Sequence, residues 1–255
     1  MAALVERLAW DSDFFGRPIG RARIERLDEA TADRLLDEAR AAGLECVYFA
    51  AAADDLATLL VAEARGFHLV DVRVVFERST ATPLPSCAED ERYVLEPARA
   101  DELPRLERIA EQVSRVSRYA FDPRFPTGDV ERLYRTWIRN ALGGSADAVL
   151  VAREAPGAEA LGFACCKLHG ELCDLELVGV DEPYRQRRGG RALVAEVVRW
   201  AQAHGAKRVQ VVTQAHNVAA QRLYQRLGFL TAEVKLRFHL WLTPPTQSSP
   251  PTPAR

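Results

Sequence analysis

With 255 residues, 48% hydrophobic and 27% charged, the chain has the composition of a globular protein long enough for one or two domains. Its 34 basic and 36 acidic residues leave a formal charge of -2, which argues against nucleic acid as a partner, because phosphate recognition needs a concentrated basic excess. No apolar run reaches the roughly 20 residues that span a bilayer, and the opening MAALVERLAWDSD carries acids where a signal peptide needs an apolar stretch, so a cytoplasmic protein without a membrane partner is expected.

The N-terminal part reads as helix, glycine stop, apolar strand, helix, Gly-Phe, alternating strand, and this order returns later in the chain. Shifted by 162 residues, positions 39–76 fall on 201–238 without a gap. Gly43 then meets Gly205, Val47 meets Val209, Gly66-Phe67 meets Gly228-Phe229, and Phe76 meets Phe238. A fixed-offset match of this kind points to an internal duplication. The copies differ where chemistry would sit: Asn217, Ala220 and Tyr224 of the second stand against Asp55, Thr58 and Ala62 of the first. The expected organisation is an N-terminal half over 1–80, a Pro-containing linker over 81–91, a C-terminal domain over 92–243 and a disordered Pro/Ser/Thr tail over 244–255.

The C-terminal part opens with two amphipathic helices, RADELPRLERIAEQVSR and DVERLYRTWIRNAL, the second with apolar residues Val130, Leu133, Tyr134, Trp137, Ile138 and Leu142 at helical spacing. Three strand-like segments follow, AVLVARE, EALGFACCKLHG and LCDLELVGV, separated by turn residues. Then come the helix GRALVAEVVRWAQAHG, the strand VQVVT, the helix NVAAQRLYQRLGF and the alternating strand VKLRFHLWL. A meander followed by strand–helix units predicts an α+β fold with a mixed sheet. Five cysteines (Cys46, Cys87, Cys165, Cys166 and Cys173) are odd in number and fit no zinc spacing, so no metal is expected. They read as buried reduced thiols, with Cys173 the remaining candidate for a reactive one.

Two local signals carry chemistry. The first is VGVDEPYRQRRGGRALVAEVV, in which a strand ends at Val180 and a helix starts just after a turn of Arg185, Gln186, Arg187, Arg188, Gly189 and Gly190, followed by Arg191. Backbone N–H groups converging at a helix start, with arginines beside them, suit a diphosphate. The same turn can also be a basic surface loop, and it has neither the Gly-Lys-Ser/Thr of a Walker loop nor the three-glycine Rossmann spacing. The second signal is Asn217-x-x-Ala220-x-x-x-Tyr224-x-x-x-Gly228-Phe229. Asn217 suits a helix N-cap, and Ala220 and Tyr224 lie four apart on one helix face.

Taken together, Leu177 to Phe229 resembles the acyl-CoA-binding core of the GCN5-related N-acetyltransferases, with strand, Arg/Gln-x-x-Gly-x-Gly/Ala loop, helix, strand and Asn-x-x-Ala-x-x-x-Tyr helix in order. The resemblance implies the fold of that family, a mixed, mostly antiparallel sheet flanked by helices, here with an N-terminal partial copy. It implies acetyl-CoA as acyl donor, with the backbone of Val178, Gly179 and Val180 pairing with pantetheine. The loop Arg185–Arg191 would hold the diphosphate, Asn217 and Ala220 would flank the cofactor, and Tyr224 would protonate the leaving thiolate. One departure stands out: aligned on Arg185, the first loop glycine of the family pattern falls on Arg188 and Gly190 matches the second, whereas aligned on Gln186, Gly189 matches the first and Arg191 takes the last place. A narrower resemblance, to amino-sugar N-acetyltransferases of the dTDP-fucosamine type, rests on Trp10-Asp11-Ser12-Asp13-Phe14-Phe15-Gly16, on Ser117-Arg118-Tyr119-x-x-Asp122-Pro123-x-Phe125-Pro126 and on Leu133-Tyr134-x-x-Trp137-Ile138. It implies a nucleotide-linked amino sugar as acceptor, and a homodimer.

Arg118, Tyr119, Asp122 and Phe125 suit that acceptor, with aromatics for flat rings, an arginine for phosphate and Asp122 for hydroxyls or an ammonium. Asp174 and Glu176 alternate with Leu175 and Leu177 and so share a strand face. Glu176 is the first choice for a general base and Asp174 for an acceptor contact, while a solvated sheet face explains both equally well. Two rivals stay open: a noncatalytic acyl-CoA-binding regulatory module, and an N-acyltransferase acting on a peptide or natural-product amine.

Overall fold

The computed structural model describes residues 3–86 and 92–243. The expected tail over 244–255, Cys87 and the later part of the expected linker lie outside the described residues. The described residues form two compact units: those within 3–70, 122–124 and 235–243 make one, and those within 71–86, 92–121 and 125–234 make the other. No helix among the described residues is long and apolar enough to cross a membrane.

In the first unit the strands β1 (Val5–Arg7), β2 (Ile19–Ala22), β3 (Cys46–Ala52) and the end of β10 (Leu230–Trp241) lie in the order β1-β2-β3-β10, with β2 and β3 parallel and the other pairs antiparallel. Helices α1 (Ala9–Phe15), α2 (Glu29–Ala41) and α3 (Leu56–Ala64) belong here. Asp28 caps α2 by accepting the Thr31 amide at 2.7 Å, which satisfies one of the orphan donors of a helix start. Leu35, Phe49, Phe67 and Phe238 anchor this unit's core.

The second unit orders its strands β4-β9-β8-β7-β6-β5: β4 (His68–Ser79), β5 (Val94–Pro97), β6 (Ala148–Arg153), β7 (Gly162–His169), β8 (Leu172–Val180) and β9 (Arg208–Gln214). Only β8 and β9 run parallel. Its helices are α4 (Leu103–Ser114), α5 (Thr127–Asn140), α6 (Gly189–Ala203) and α7 (Val218–Arg226). Helix α6 buries Leu193, Val194, Val197 and Val198 against Phe76, Leu175, Val209 and Val211 of the sheet. Helix α4 packs on β7 and β8. The mixed, mostly antiparallel sheet flanked by helices agrees with the expected fold class.

The duplication is written into the strand registers. Arg73↔Gln214 through Ser79↔Arg208 pair β4 with β9, and Lys235↔Ala52 through Trp241↔Cys46 pair β10 with β3. Moving each residue by 162 positions converts one ladder into the other. The last strand of each copy is therefore held by the sheet of the other copy. For this reason the compact units do not divide at the linker expected over 81–91: they divide inside β4, at 70/71, and inside β10, at 234/235. Residues 71–80, expected with the N-terminal half, belong to the second unit.

Candidate donor site

The site is built where β8 and β9 separate. Their parallel ladder runs from Leu172↔Arg208 to Leu175↔Val211 and ends there, while β8 continues to Val180 and β9 to Gln214. On its other side β8 stays paired with β7, with a register shift that sets Leu175 against Cys166 and Leu177 against Cys165. Glu176 is the extra residue of that bulge. A bulge re-aims a side chain and bends its strand, and here it falls where β8 leaves β9. The strand thus offers the backbone of Glu176–Val180 toward the gap.

Gly179 has no room for a side chain. A Cβ there would lie 2.8 Å from Val113 Cγ2, 3.1 Å from Ile109 Cγ2 and 3.2 Å from Phe163 Cε1, so the glycine lets α4 lie directly on the strand. Gly190 is similarly close: an added Cβ would meet Val180 Cγ2 at 3.4 Å and Leu223 Cδ2 at 3.5 Å, which draws the start of α6 against β8 and α7. Gly189 is buried and faces the Tyr93 ring.

Between β8 and α6 the chain makes a short 3-10 turn at Glu182–Tyr184, then passes Gln186 and Arg188 in left-handed conformation, with φ of 65° and 66°. Non-glycine residues adopt this conformation at a cost of roughly 1–2 kcal/mol. Arg188 is the position where the family pattern has glycine; the backbone keeps the glycine-type conformation although the residue is arginine. The helical ladder of α6 begins with the Ala192 amide donating to the Arg188 carbonyl at 3.1 Å, so the amides of Gly189, Gly190 and Arg191 stand ahead of it. These amides and the positive end of the helix dipole are the groups that could hold an anion here.

The arginines are less uniform than the sequence suggested. Arg185 donates to the Val180 carbonyl at 3.1 Å and to Gln112 Oε1 at 3.2 Å. Arg187 lies over the Tyr184 ring, and its carbonyl accepts from the Tyr93 hydroxyl. Arg191 donates to the Pro85 carbonyl at 2.7 Å. Asp181, absent from the sequence-based candidates, is 6% exposed and accepts from Arg105 Nη2 at 2.5 Å, Gln112 Nε2 at 2.7 Å and the Glu182 amide at 3.0 Å. Burial would raise its carboxyl pKa, but the hydrogen bonds from Gln112 and Arg105 outweigh that and hold it below the ordinary value. Gln112, Arg105 and Tyr93 were likewise missed, because nothing in their own segments marks them.

Helix α7 is capped as expected: Asn217 Oδ1 accepts the Ala220 amide at 3.2 Å. Ala220 is half-buried against the second unit's core. Tyr224 is 2% exposed, with its ring 5.8 Å from Phe76 and 5.9 Å from Phe229 between centroids. Burial pushes its hydroxyl pKa well above the ordinary tyrosine value. The phenol is therefore fully protonated at neutral pH, and its ring also serves the core.

On the sheet, Asp174 is half-buried and Glu176 exposed. Desolvation raises both carboxyl pKa values, and the charge of Asp174 adds to the rise at Glu176. Gln210 Nε2 donates to Asp174 at 3.1 Å. Of the acceptor candidates, Tyr119 and Phe125 are buried with their rings edge to face at 5.2 Å, and Arg118 donates to Tyr119 Oη at 2.7 Å. Asp122 departs from expectation. It belongs to the other unit, is 5% exposed, and is bonded to His239 Nδ1 at 2.7 Å, Trp241 Nε1 at 2.9 Å and the Arg124 amide at 3.0 Å. Its acceptor lone pairs hold the end of β10, where contacts to substrate hydroxyls or an ammonium were expected of it. Cys46, Cys165, Cys166 and Cys173 are all buried and not in disulfides; burial raises the pKa of Cys165, and the hydrogen bond with Cys173, together with burial, raises that of Cys166.

Residues 111–229 match the model of the acetyltransferase (GNAT) family. Over 125 residues the chain is 30% identical to the spore coat polysaccharide biosynthesis protein SpsD of Bacillus subtilis (strain 168), a match covering 49% of this chain and 43% of that protein, which is less than half its length. It is 26% identical over 230 residues to dTDP-fucosamine acetyltransferase of Escherichia coli O6:H1, covering 89% of this chain and 93% of that one. A GCN5-related N-acetyltransferase from Sphaerobacter thermophilus has the same fold, with a TM-score of 0.63 at 18% identity over 96% of this chain and 78% of that one. The separated strands and the α6 turn both lie inside the matched region, so the part of the chain that resembles the acetyltransferase (GNAT) family is the part that builds the candidate site.

Proposed function

We propose that the protein is an N-acetyltransferase that moves an acetyl group from acetyl-CoA to the amine of a small cytoplasmic molecule, a nucleotide-linked amino sugar. The observation that carries the reading is the separation of β8 from β9 directly beside the turn that starts α6. A strand with one open side pairs with the amides of a pantetheine arm, and the amides ahead of the α6 ladder receive its diphosphate. When bound, acetyl-CoA supplies an acetyl thioester.

The chain's own residues meet the chemical needs in order. The backbone of Val178–Val180 aligns the arm, and an amide of the same open edge polarises a carbonyl placed against it. Tyr224, on α7, holds its proton at all physiological pH, which supports it as the acid for a departing thiolate. Glu176, on the bulge, carries a carboxylate of raised pKa, which makes it a better proton acceptor than an ordinary one. Arg118, Tyr119, Phe125 and Asp174 supply the contacts for the acceptor. The amino-sugar class is supported by the likeness to dTDP-fucosamine acetyltransferase along nearly its whole length.

Calorimetry with CoA, followed by thiol-release assays with acetyl-CoA and dTDP- and UDP-linked amino sugars, tests the reading. Binding of CoA and turnover with at least one amino sugar are expected, with Tyr224→Phe lowering turnover and leaving CoA affinity nearly unchanged. CoA binding without turnover on any amine would favour a regulatory acyl-CoA-binding module. Turnover confined to peptide amines would replace the acceptor class. Unchanged turnover in Tyr224→Phe would remove the tyrosine from the acid role.

A further inference from the structure

The turn between β8 and α6 has two non-glycine residues in left-handed conformation, and its internal backbone bonds lengthen toward them from the 2.9 Å of the Tyr184 amide on the Asp181 carbonyl. The Arg185 amide reaches the Glu182 carbonyl at 3.2 Å and the Arg187 amide reaches Tyr184 at 3.4 Å, both long. Strained backbone of this kind persists only where its surroundings over-determine it. Tyr93 holds the far end of the turn at the Arg187 carbonyl, and α4 holds its start. Gln112 uses both ends of its amide: Nε2 donates to Asp181 Oδ1 at 2.7 Å, while Oε1 accepts the Glu182 amide at 2.9 Å and Arg185 Nη2 at 3.2 Å. One turn from the other end of the same helix, Arg105 grips the second oxygen of Asp181 and donates to the Ala160 carbonyl at 2.9 Å. The residue after Gln112, Val113, is the one that rests on Gly179, so the clamp is registered against the strand it serves.

We propose that Gln112 is the positioning residue that sets the diphosphate-gripping form of the turn between Asp181 and Arg188, a proposal that rests on the donor site lying at the start of α6. It acts from the start of the turn: by holding Asp181, Glu182 and Arg185 it sets the lead into the left-handed residues Gln186 and Arg188. It also aims Arg185. With Nε on the Val180 carbonyl and one Nη on Gln112, the guanidinium keeps its remaining donors for an anion at the turn.

The experiment compares CoA with pantetheine, which shares the arm and lacks the diphosphate, in calorimetry on wild type, Gln112→Met and Gln112→Ala. Loss of the clamp is expected to weaken CoA about tenfold while pantetheine stays within about twofold, and to raise the KM for acetyl-CoA in step. Pantetheine binding also reports that the variant is folded and its β8 edge intact. If wild type binds CoA and both variants bind it equally well, or if CoA and pantetheine weaken together, the clamp is overturned and the donor site stands. If wild type binds neither compound, the donor-site reading fails, and the proposal with it.

Discussion

Replacing Gly179 by alanine tests the packing that builds the donor strand. Carbon pairs sit best at about 3.5–4.0 Å, and the new methyl would start 2.8 Å from Val113 Cγ2 and 3.1 Å from Ile109 Cγ2, two side chains of one helix face. Helix α4 would have to retreat by about 0.5–1 Å, since rotating one side chain leaves the other contact and Phe163 Cε1 at 3.2 Å in place. Overpacking of this kind costs roughly 1–3 kcal/mol. Alanine restricts the unfolded chain and returns about 0.4–1 kcal/mol, so a net loss of about 1–2 kcal/mol is expected. Denaturant titration should show a lower midpoint at an unchanged slope. CoA should also bind more weakly, because the retreating helix carries Gln112. Stability equal to or above wild type would refute the close approach of α4 to β8. Gly162→Ala is the companion: its Cβ would meet the Gly179 carbonyl oxygen at 2.6 Å, a backbone atom with less freedom to move, and the loss should be larger.

Arg153 is fully buried and bridges both oxygens of Glu102, at 2.5 and 2.7 Å, with Glu96 and the Ala158 carbonyl as further partners. Arg153→Met leaves the buried Glu102 with only the longer ion pair to Arg99, at 3.4 Å, and should cost about 3 kcal/mol, read as a fall in melting temperature of roughly 10 °C. Arg188→Gly removes a guanidinium but suits the left-handed backbone. CoA binding within about threefold of wild type is expected, whereas a larger loss would assign the grip to the side chain rather than to the amides. For Glu176, desolvation and the Asp174 charge raise the pKa, so turnover should fall on the acid side with an inflection above the ordinary glutamate value, and Glu176→Gln should abolish that limb. The linked stability has the opposite sense. A folded pKa above the unfolded one stabilises below the unfolded value and is lost as pH rises through the folded one, so the glutamine variant should be no less stable at neutral pH.

Local patterns carried much of this protein. The 162-residue repeat, the Asn217 cap, the helix over Gly189–Ala203 and the alternation of the last strand depend on residues near one another in the chain, where periodicity and capping chemistry act directly. The family resemblance located the donor turn for the same reason, since its motif is contiguous. Tertiary structure decided the rest. The reciprocal exchange of β4 and β10 follows from pairings between residues more than a hundred positions apart, such as Arg73 with Gln214, and no local signal distinguishes a strand that joins its own sheet from one that joins its sibling's. Asp122 looked like a substrate contact because a lone acid in an aromatic segment is ambiguous; only folding brings His239 and Trp241 to it. The bulge at Glu176 and the parting of β8 from β9 likewise need both neighbours of one strand in place. Gln112 reads as an ordinary polar residue on an amphipathic helix until that helix settles on Gly179, and then its amide meets the start of the turn that leads into α6.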